Sequence, residues 1–391
     1  MARRLDGIRV LDIGLNTAGP YAARLLGDLG ADVIKVEPVE GEGTRALGMR
    51  YGDTGYLFHN NNFNKRSVTL QVQHPRGREI FLDLVARSDV VIENFAIGTM
   101  DKWGIGYAAC CEVNPAIVFC SVKGFGESGP LRNLRAFDTV TQALSGMMDA
   151  TGAPGLPPLK AGPSVCDILG GIVSAMAVAA ALAGRKPGQA QFIDTALFDV
   201  GAFSLIPLWP LARNGREFIQ SHIQSLGNAH PLHAPFGHFR CSDGLLMVTV
   251  TRDAHWRSLA HWLDLDPAWT RALRKDHEDH INAALAARIE PLTADEAAQL
   301  LQSFGAPAAP VLDLAQVAGS AQVAARRMIG DVDHPVFGKV PLIKPALATG
   351  HPDRGPWRLQ PVLGEGNDEL IGALLGREGE LGALRDEGVI R

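Results

Sequence analysis

The first 125 positions of the chain switch repeatedly between two hydrophobic periods. Arg9-Val-Leu-Asp-Ile is an apolar run of strand length. From Ala18 to Gly30, Ala22, Leu25, Leu26 and Leu29 fall at helical spacing, with Pro20 in the first turn, where its missing N–H costs nothing. Ala31-Asp-Val-Ile-Lys-Val-Glu-Pro is a second strand and closes a βαβ unit. That predicts parallel pairing with a right-handed crossover. The ligand of such a unit sits beyond the carboxyl ends of the strands, here near Gly14 to Pro20. The alternation continues through a strand at Arg66–Val72, a helix at Pro75–Ala86, a strand at Asp89–Phe95, a helix around Thr99–Trp103 and a strand at Ala116–Val122. The predicted fold class is α/β.

The pattern then loosens. Gly124 to Asp138 is turn-rich, as function-bearing loops are, and a helical run follows from Thr139 to Asp149. Pro157 and Pro158 hold an extended approach to Asp167. Ile168 to Gly184 carries no charge, is rich in Ala and ends in Gly184-Arg-Lys-Pro, a helix stop, so it predicts a buried core helix slightly short of a membrane span. Gln191 to Val200 leads into an apolar stretch through Trp209. The polar loop Asn214–His233 marks the crossing into a second, smaller domain. Its elements are strands at Gly237–Cys241 and Leu245–Thr249 about the turn Ser242-Asp-Gly, helices around His255–Leu263 and Asp279–Arg288, an N-capped helix from Thr293 and an edge strand within Pro307–Asp313. Pro- and Gly-rich turns run from Pro335 to Gly364, before a terminal helix at Asp368–Leu375.

Composition adds limits. The 391 residues are 46% hydrophobic and 20% charged, which is the balance of a soluble globular enzyme of two or three domains. A net charge of -5 argues against nucleic acid or an anionic membrane as partner of the whole surface, without excluding a local basic pocket. The N-terminus enters a strand pattern at once, and the five cysteines (Cys110, Cys111, Cys120, Cys166, Cys241) form no CxxC, so a reducing cytoplasm is the expected location. His230/His233 and His277/His280 have i,i+3 spacing but no H-E-x-x-H pattern, so a structural or solvent-facing role is favoured over zinc. No G-x-G-x-x-G follows the first strand, which disfavours a nicotinamide enzyme even though Glu37 ends the second.

Asp167 has two readings. It is the N-cap of the uncharged helix, its carboxylate accepting a backbone N–H. Alternatively it is a nucleophilic carboxylate near a helix N-terminus, with Gly170 and Gly171 admitting a substrate to the backbone. Cys166 beside it reads as a small packing residue.

Taken together, the segments resemble the family III CoA-transferases, with alpha-methylacyl-CoA racemases as a sister branch. The resemblance rests on Leu5-Asp-Gly-Ile-Arg-Val-Leu-Asp-Ile with Ala18-Gly-Pro, Leu29-Gly-Ala-Asp-Val-Ile-Lys-Val-Glu, Asn64-Lys-Arg-Ser-Val-Thr-Leu and Val91-Ile-Glu-Asn-Phe. It continues in Lys123-Gly-Phe-Gly with Gly129-Pro, Phe137-Asp, Gly227-Asn-Ala-His-Pro with Ala234-Pro-Phe-Gly, Ser242-Asp-Gly and Leu363-Gly-Glu. No single motif decides; their order and spacing do. The resemblance implies a Rossmann-like large domain over residues 1–213, a small α/β domain over 214–333 and a C-terminal return, 334–391, to the large domain. It further implies an interlaced, ring-like homodimer. Acyl-CoA and a small carboxylic acid are the implied substrates, with no permanently bound cofactor.

The resemblance also implies that Asp167 is the nucleophile, carried as an aspartyl-CoA thioester reached through mixed anhydrides. Helix dipole and ionisation then go together at Asp167, and Gly170 and Gly171 are candidate N–H donors for its anionic states. The implied CoA contacts are Leu15, Asn16, Thr17 and Ala18 in the first loop, Asn94 and Phe95 at a strand end, and the cations Lys102 and Arg135. Lys123 and Arg132 are further cations in function-prone loops, and the sequence leaves open whether these two or Lys160 contact substrate. The racemase branch places a proton-transferring His where this chain has Phe137, so proton exchange is disfavoured. The Ser225–Pro235 loop has a single Gly where the formyl/oxalate branch has several, which points to larger acids and to succinyl-CoA as donor. A CoA-binding protein without catalysis is the remaining alternative, and an intact Asp167 argues against it.

Overall fold

Six runs of strand length assemble into one parallel sheet: β1 (Arg9–Asp12), β2 (Asp32–Glu37), β3 (Lys65–Thr69), β4 (Val90–Glu93), β5 (Val118–Lys123) and β6 (Gln191–Ala196). Their spatial order is 3-2-1-4-5-6, and every pairing is parallel. The computed structural model describes residues 4–51, 54–209, 226–334, 338–344 and 358–391. The sheet belongs to the larger of two units, made of Met1–Met147, Lys160–Leu205 and Gln322–Arg391; Met148–Leu159 and Ile206–Ala321 form the smaller.

Period-two alternation sends neighbouring side chains of each strand to opposite faces, and both faces are covered. Leu11, Ile34, Val36 and Val68 meet Ile80, Phe81, Leu84 and the C-terminal residues Leu370, Leu384 and Val389. Val10, Val33, Val90 and Val118 meet Ala22, Ala23, Leu26, Ala175 and Val178. Val10, Leu11, Ile34, Val90 and Val91 are fully buried. Each contributes about 1.5–3 kcal/mol by removal from water, which is why β1 holds the centre of the sheet. The chain end is tied down as well: Asn367 donates through Nδ2 to Thr69 Oγ1 and to the carbonyl of Arg391, and its Oδ1 accepts the N–H of Thr69.

The helices of this unit are α1 (Ala18–Asp28), α2 (Tyr56–Asn61), α3 (Pro75–Ala86), α4 (Thr99–Lys102), α5 (Tyr107–Val113), α6 (Asp138–Leu144), α7 (Met147–Ala150, whose last residues belong to the smaller unit), α8 (Val165–Ala183) and α9 (Leu197–Ser204). Four points correct or sharpen the expectations. The single helix expected over Thr139–Asp149 is two, broken where Gly146 takes φ 86°. The run from Gln191 to Val200 changes from strand to helix after Ala196. The terminal helix is a π-helical stretch, Asn367–Ala373, followed by a short α-helix at Leu381–Asp386.

The fourth point concerns the uncharged helix. Its 19 residues are long and apolar enough to cross a membrane by length and composition alone, yet α8 packs against α1, α9 and the sheet. It is only partly buried: Ile172 and Met176, one turn apart, are 43% and 64% exposed.

In the smaller unit an antiparallel sheet places Leu245–Thr249 between Phe236–Arg240 and Ala308–Pro310. Helices Asp253–Leu263, Glu278–Ile289 and Ala294–Ser303 pack Trp256, Leu259, Leu285 and Leu301 against it. The last of these opens on the expected cap: Thr293 accepts the Glu296 N–H while Glu296 accepts that of Thr293. Of the loop expected at Asn214–His233, residues 214–225 lie outside the described residues, as does the proposed domain boundary at 213/214. The same holds for 345–357 within the turn-rich stretch after Pro335.

Candidate active site

Strand order reverses on either side of β1, since β2 leads away to one edge and β4 to the other. Loops leaving β1 and β4 therefore diverge and open a crevice at their carboxyl ends. Asn94, just past β4, bridges it: its Oδ1 accepts the Leu15 N–H at 2.7 Å and its Nδ2 donates to the Leu15 carbonyl at 2.7 Å. A side chain at Gly14 or Gly19 would meet Asn94 at 3.2 or 3.3 Å, so these two glycines permit that approach. The structure thus brings Leu15, Asn16, Thr17, Ala18, Asn94 and Phe95 together, as a resemblance alone had grouped them. Leu15 and Thr17 are half-buried, Asn16 is exposed, and Ala18 is buried in the first turn of α1.

Beneath this loop lies a charge network that sequence reasoning missed. Asp12, Lys35 and Lys65 are fully buried. Lys65 Nζ donates to Asp12 Oδ2 (2.7 Å), the Pro20 carbonyl (2.8 Å) and Asn62 Oδ1 (2.8 Å). Lys35 Nζ bonds the Gly14 carbonyl and lies 3.6 Å from both Asp12 and Glu42. Burial holds the Lys65 ammonium down at about 8. Asp12 and Glu37 end their strands; Asp12 anchors the loop by accepting the Gly14 N–H at 2.9 Å, and Glu37 receives a two-pronged Arg45 at 2.7 and 2.8 Å. The missed signal was a lysine in each of two neighbouring strands of a parallel sheet covered on both faces, where a buried cation needs partners.

Four cations were candidates for CoA. Lys102, Arg132 and Arg135 are exposed in their loops, and so is Lys160. Lys123 is different. It is 8% exposed, and its Nζ lies 2.6 Å from Glu93 Oε1 and donates to the Phe95 carbonyl at 2.7 Å. A buried cation with those partners supports the β4 loop and is not held out to a phosphate. Lys123→Met leaves Glu93 buried and unpaired and is expected to cost about 3–5 kcal/mol in denaturant unfolding.

Asp167 is the third residue of α8, and the N-cap is Ser164, whose side chain makes no cap hydrogen bond. The N-cap reading of Asp167 is therefore corrected. Asp138, at the start of α6, takes that role from outside: its Oδ1 accepts the N–H groups of Cys166 (2.7 Å) and Asp167 (3.2 Å). Gln142, one turn on, donates to Asp138 Oδ2 at 2.6 Å and accepts the Ala161 N–H at 2.9 Å, tying the approach loop to the same carboxylate. With its backbone held, Asp167 keeps its own carboxyl half-buried and, among the described residues, without a cation. Burial first, and then the charge of Asp138, push that carboxyl up to about 7. The helix N-terminus was expected to favour the ionised form; burial outweighs it here.

Gly170 and Gly171 are likewise corrected as oxyanion donors. Both lie inside α8, where the N–H groups point to carbonyls one turn back. A Cβ on Gly170 would sit 2.5 Å from Leu197, and one on Gly171 2.8 Å from Tyr21 and 3.1 Å from the Ala18 carbonyl. They let α8 lie close on α1 and α9, and that brings the Asp167 turn near the first turn of α1. Phe137, immediately before the capping acid, is 75% exposed. Among the described residues no three His, Cys, Asp or Glu side chains gather as a metal-holding group.

The model of CoA-transferase family III matches residues 5–367. The β subunit of succinyl-CoA–L-malate CoA-transferase of Chloroflexus aurantiacus is 32% identical over 99% of this chain and 98% of its own length. Succinate–glutarate CoA-transferase of Agrobacterium fabrum is 31% identical over 95% of each. Among solved structures, a CAIB/BAIF family protein from Brucella suis aligns at TM-score 0.80 and 31% identity over 96% of this chain and 100% of that one. On sequence along nearly its whole length, and on the fold, the chain belongs to CoA-transferase family III.

Proposed function

We propose that this chain transfers CoA from succinyl-CoA to a carboxylic acid, with Asp167 as the covalent carrier. The observation that carries the reading is the combination at Asp167 of a pinned backbone and a half-buried carboxylate that, among the described residues, no cation neutralises. An oxyanion without a salt bridge and with little water is a stronger nucleophile than a solvated one.

The steps balance without any oxidant or reductant. An Asp167 carboxylate oxygen attacks the thioester carbonyl of the donor; the C–S bond breaks, giving a mixed anhydride and CoA thiolate. The thiolate attacks the aspartyl carbonyl and expels the donor acid, leaving an aspartyl-CoA thioester. The acceptor carboxylate attacks that thioester, forms a second anhydride and frees the thiolate. Thiolate attack on the acceptor's acyl carbon then gives the new acyl-CoA and restores Asp167. The thioester's energy is conserved throughout, which hydrolysis would forfeit.

In this reading CoA lies in the Rossmann-like large domain across the Leu15–Ala18 and Asn94–Phe95 loops, with Lys102 and Arg135 near its phosphates. The donor is inferred from the relatives named for succinyl-CoA, whose acceptors are malate, mesaconate, glutarate and citramalate. A second copy of the chain would cover the apolar Ile172–Met176 face of α8 in a homodimer. Racemisation is disfavoured because Phe137 cannot carry a proton.

The test is intact-mass measurement after incubation with succinyl-CoA and no acceptor, followed by hydroxylamine trapping and peptide mapping. A hydroxamate at Asp167, absent in Asp167→Ala, is the expected result. An unmodified Asp167 in protein that still binds CoA defeats the reading in favour of CoA binding without catalysis.

A further inference from the structure

Asn16 is one of four described non-glycine residues with positive φ, at 61°, and it stands at the head of the crevice between β1 and β4. Such a conformation is unfavourable for a residue with a side chain and persists only where its surroundings hold it. Both of its backbone groups are held from below. Its N–H donates to Glu42 Oε2 at 3.3 Å, and its carbonyl accepts Asn61 Nδ2 at 3.1 Å. Glu42 and Asn61 are 3% and 5% exposed, while Asn16 itself is exposed.

Glu42 is fixed in turn. Its other oxygen accepts the Thr44 hydroxyl, and Lys35, 3.6 Å away, bonds the Gly14 carbonyl two residues before Asn16. Arg45, on the same short 3-10 turn as Thr44, is fastened to Glu37 and to the Pro361 carbonyl at 3.1 Å. Two buried side chains thus grip the peptide groups on either side of Asn16 and leave its amide to the solvent side.

We infer that Glu42 and Asn61 are positioning residues for acyl-CoA binding, holding Asn16 in its left-handed conformation so that its side-chain amide is presented to the CoA moiety. Neither touches the substrate. The inference rests on the proposed reading that the first loop binds CoA. The role is specific to the CoA portion, so it predicts an effect on donor binding and not on the carboxylate chemistry at Asp167.

The test compares Glu42→Ala, Glu42→Gln and Asn61→Ala in the full chain. CoA affinity is read by calorimetry, KM for succinyl-CoA and for the acceptor acid and kcat at saturation by steady-state kinetics, and folding by thermal midpoint. Glu42→Ala is expected to weaken CoA binding and raise the succinyl-CoA KM by about tenfold, the scale of one lost hydrogen bond to a charged group. The acceptor KM and kcat are expected to stay within about twofold, since that bond is uniform binding energy. Glu42→Gln, which retains an acceptor for the Asn16 N–H, is expected to recover most of the affinity. Asn61→Ala, which leaves the charge network intact, is expected to act in the same direction as Glu42→Ala.

Unchanged CoA affinity in both alanine variants overturns the inference. So does an equal loss in Glu42→Gln and Glu42→Ala, which would make the Lys35 charge the cause. If Glu42→Ala does not fold, Asn61→Ala alone decides. A wild-type affinity for CoA that survives Asn94→Ala as well would remove the loop from the CoA site and fail the proposed reading itself. Loss in Asn94→Ala with none in Glu42→Ala or Asn61→Ala fails only this inference.

Discussion

Asp167→Ala is expected to lower CoA transfer by at least ~10³-fold while leaving CoA affinity near that of the wild type, because in the proposed reading it removes the covalent carrier and leaves the CoA-binding loops untouched. Turnover with succinyl-CoA and isothermal binding of CoA check the two halves. In that reading the attacking form is the carboxylate, and burial first, then the charge of Asp138, push the carboxyl up from the ordinary 3.8 to about 7. The rate of the first step at low donor concentration therefore rises through neutrality and levels above it. The stability consequence has the opposite sign. A carboxyl whose folded pKa exceeds its unfolded one favours the protonated fold, so stability is lost as pH climbs from about 4 through about 7. Asp167→Asn removes that loss. Its thermal midpoint is expected to exceed the wild-type value by a few degrees at about pH 8 and to match it at about pH 4. An acid limb that stays near the ordinary aspartate range would show that Asp167 is better solvated than its burial implies.

Asp138 is expected to give the second-largest effect, and its two variants separate two roles. Asp138→Ala deprives the N–H groups of Cys166 and Asp167 of their acceptor and releases Gln142. Loss of such a cap costs about 1–2 kcal/mol of stability. A carboxylate displaced by about 1 Å is expected to lose about 10²-fold in rate, read as kcat. Asp138→Asn retains one oxygen to accept those N–H groups but removes the charge that raises the Asp167 pKa. Burial remains, so the shift is partial: the acid limb of the rate profile is expected to move down, only part of the way to the ordinary aspartate range. A profile unchanged in Asp138→Asn, with a folded protein, would assign the raised pKa to burial alone. At the start of α8 the cap acceptor comes from another helix, so the backbone N–H groups of Cys166 and Asp167 are held without the Asp167 carboxyl serving as the cap.

The alternation of strand and helix periods was enough to place β1 to β5 and α1 and α3, because each period reflects which face of an element is buried, and burial is local in its demands. Pro20, Thr293 with Glu296, and Gly184 marked helix ends for the same reason: capping groups lie within a turn of what they cap. The run of motifs from Leu5 to Leu363 was sufficient for the family. Asp167 stood out in sequence by its place before an uncharged helix. What it accepts, donates or lacks did not. Its cap partner is 29 residues upstream in another helix, the partners of Lys123 and Lys35 lie 30 and 21 residues away, and the clamp on Asn16 comes from positions 26 and 45 residues further on. The packing of Gly170 and Gly171 against Leu197 and Tyr21 was equally out of reach. Periodicity reports a side chain's direction, not its partner. The sequence by itself determined most of the elements, the family and the acid on which the proposed function rests. The tertiary structure alone decided which glycines pack, which lysines are buried in ion pairs and what holds the acid in place, because each depends on contacts that chain closure brings together from distant segments.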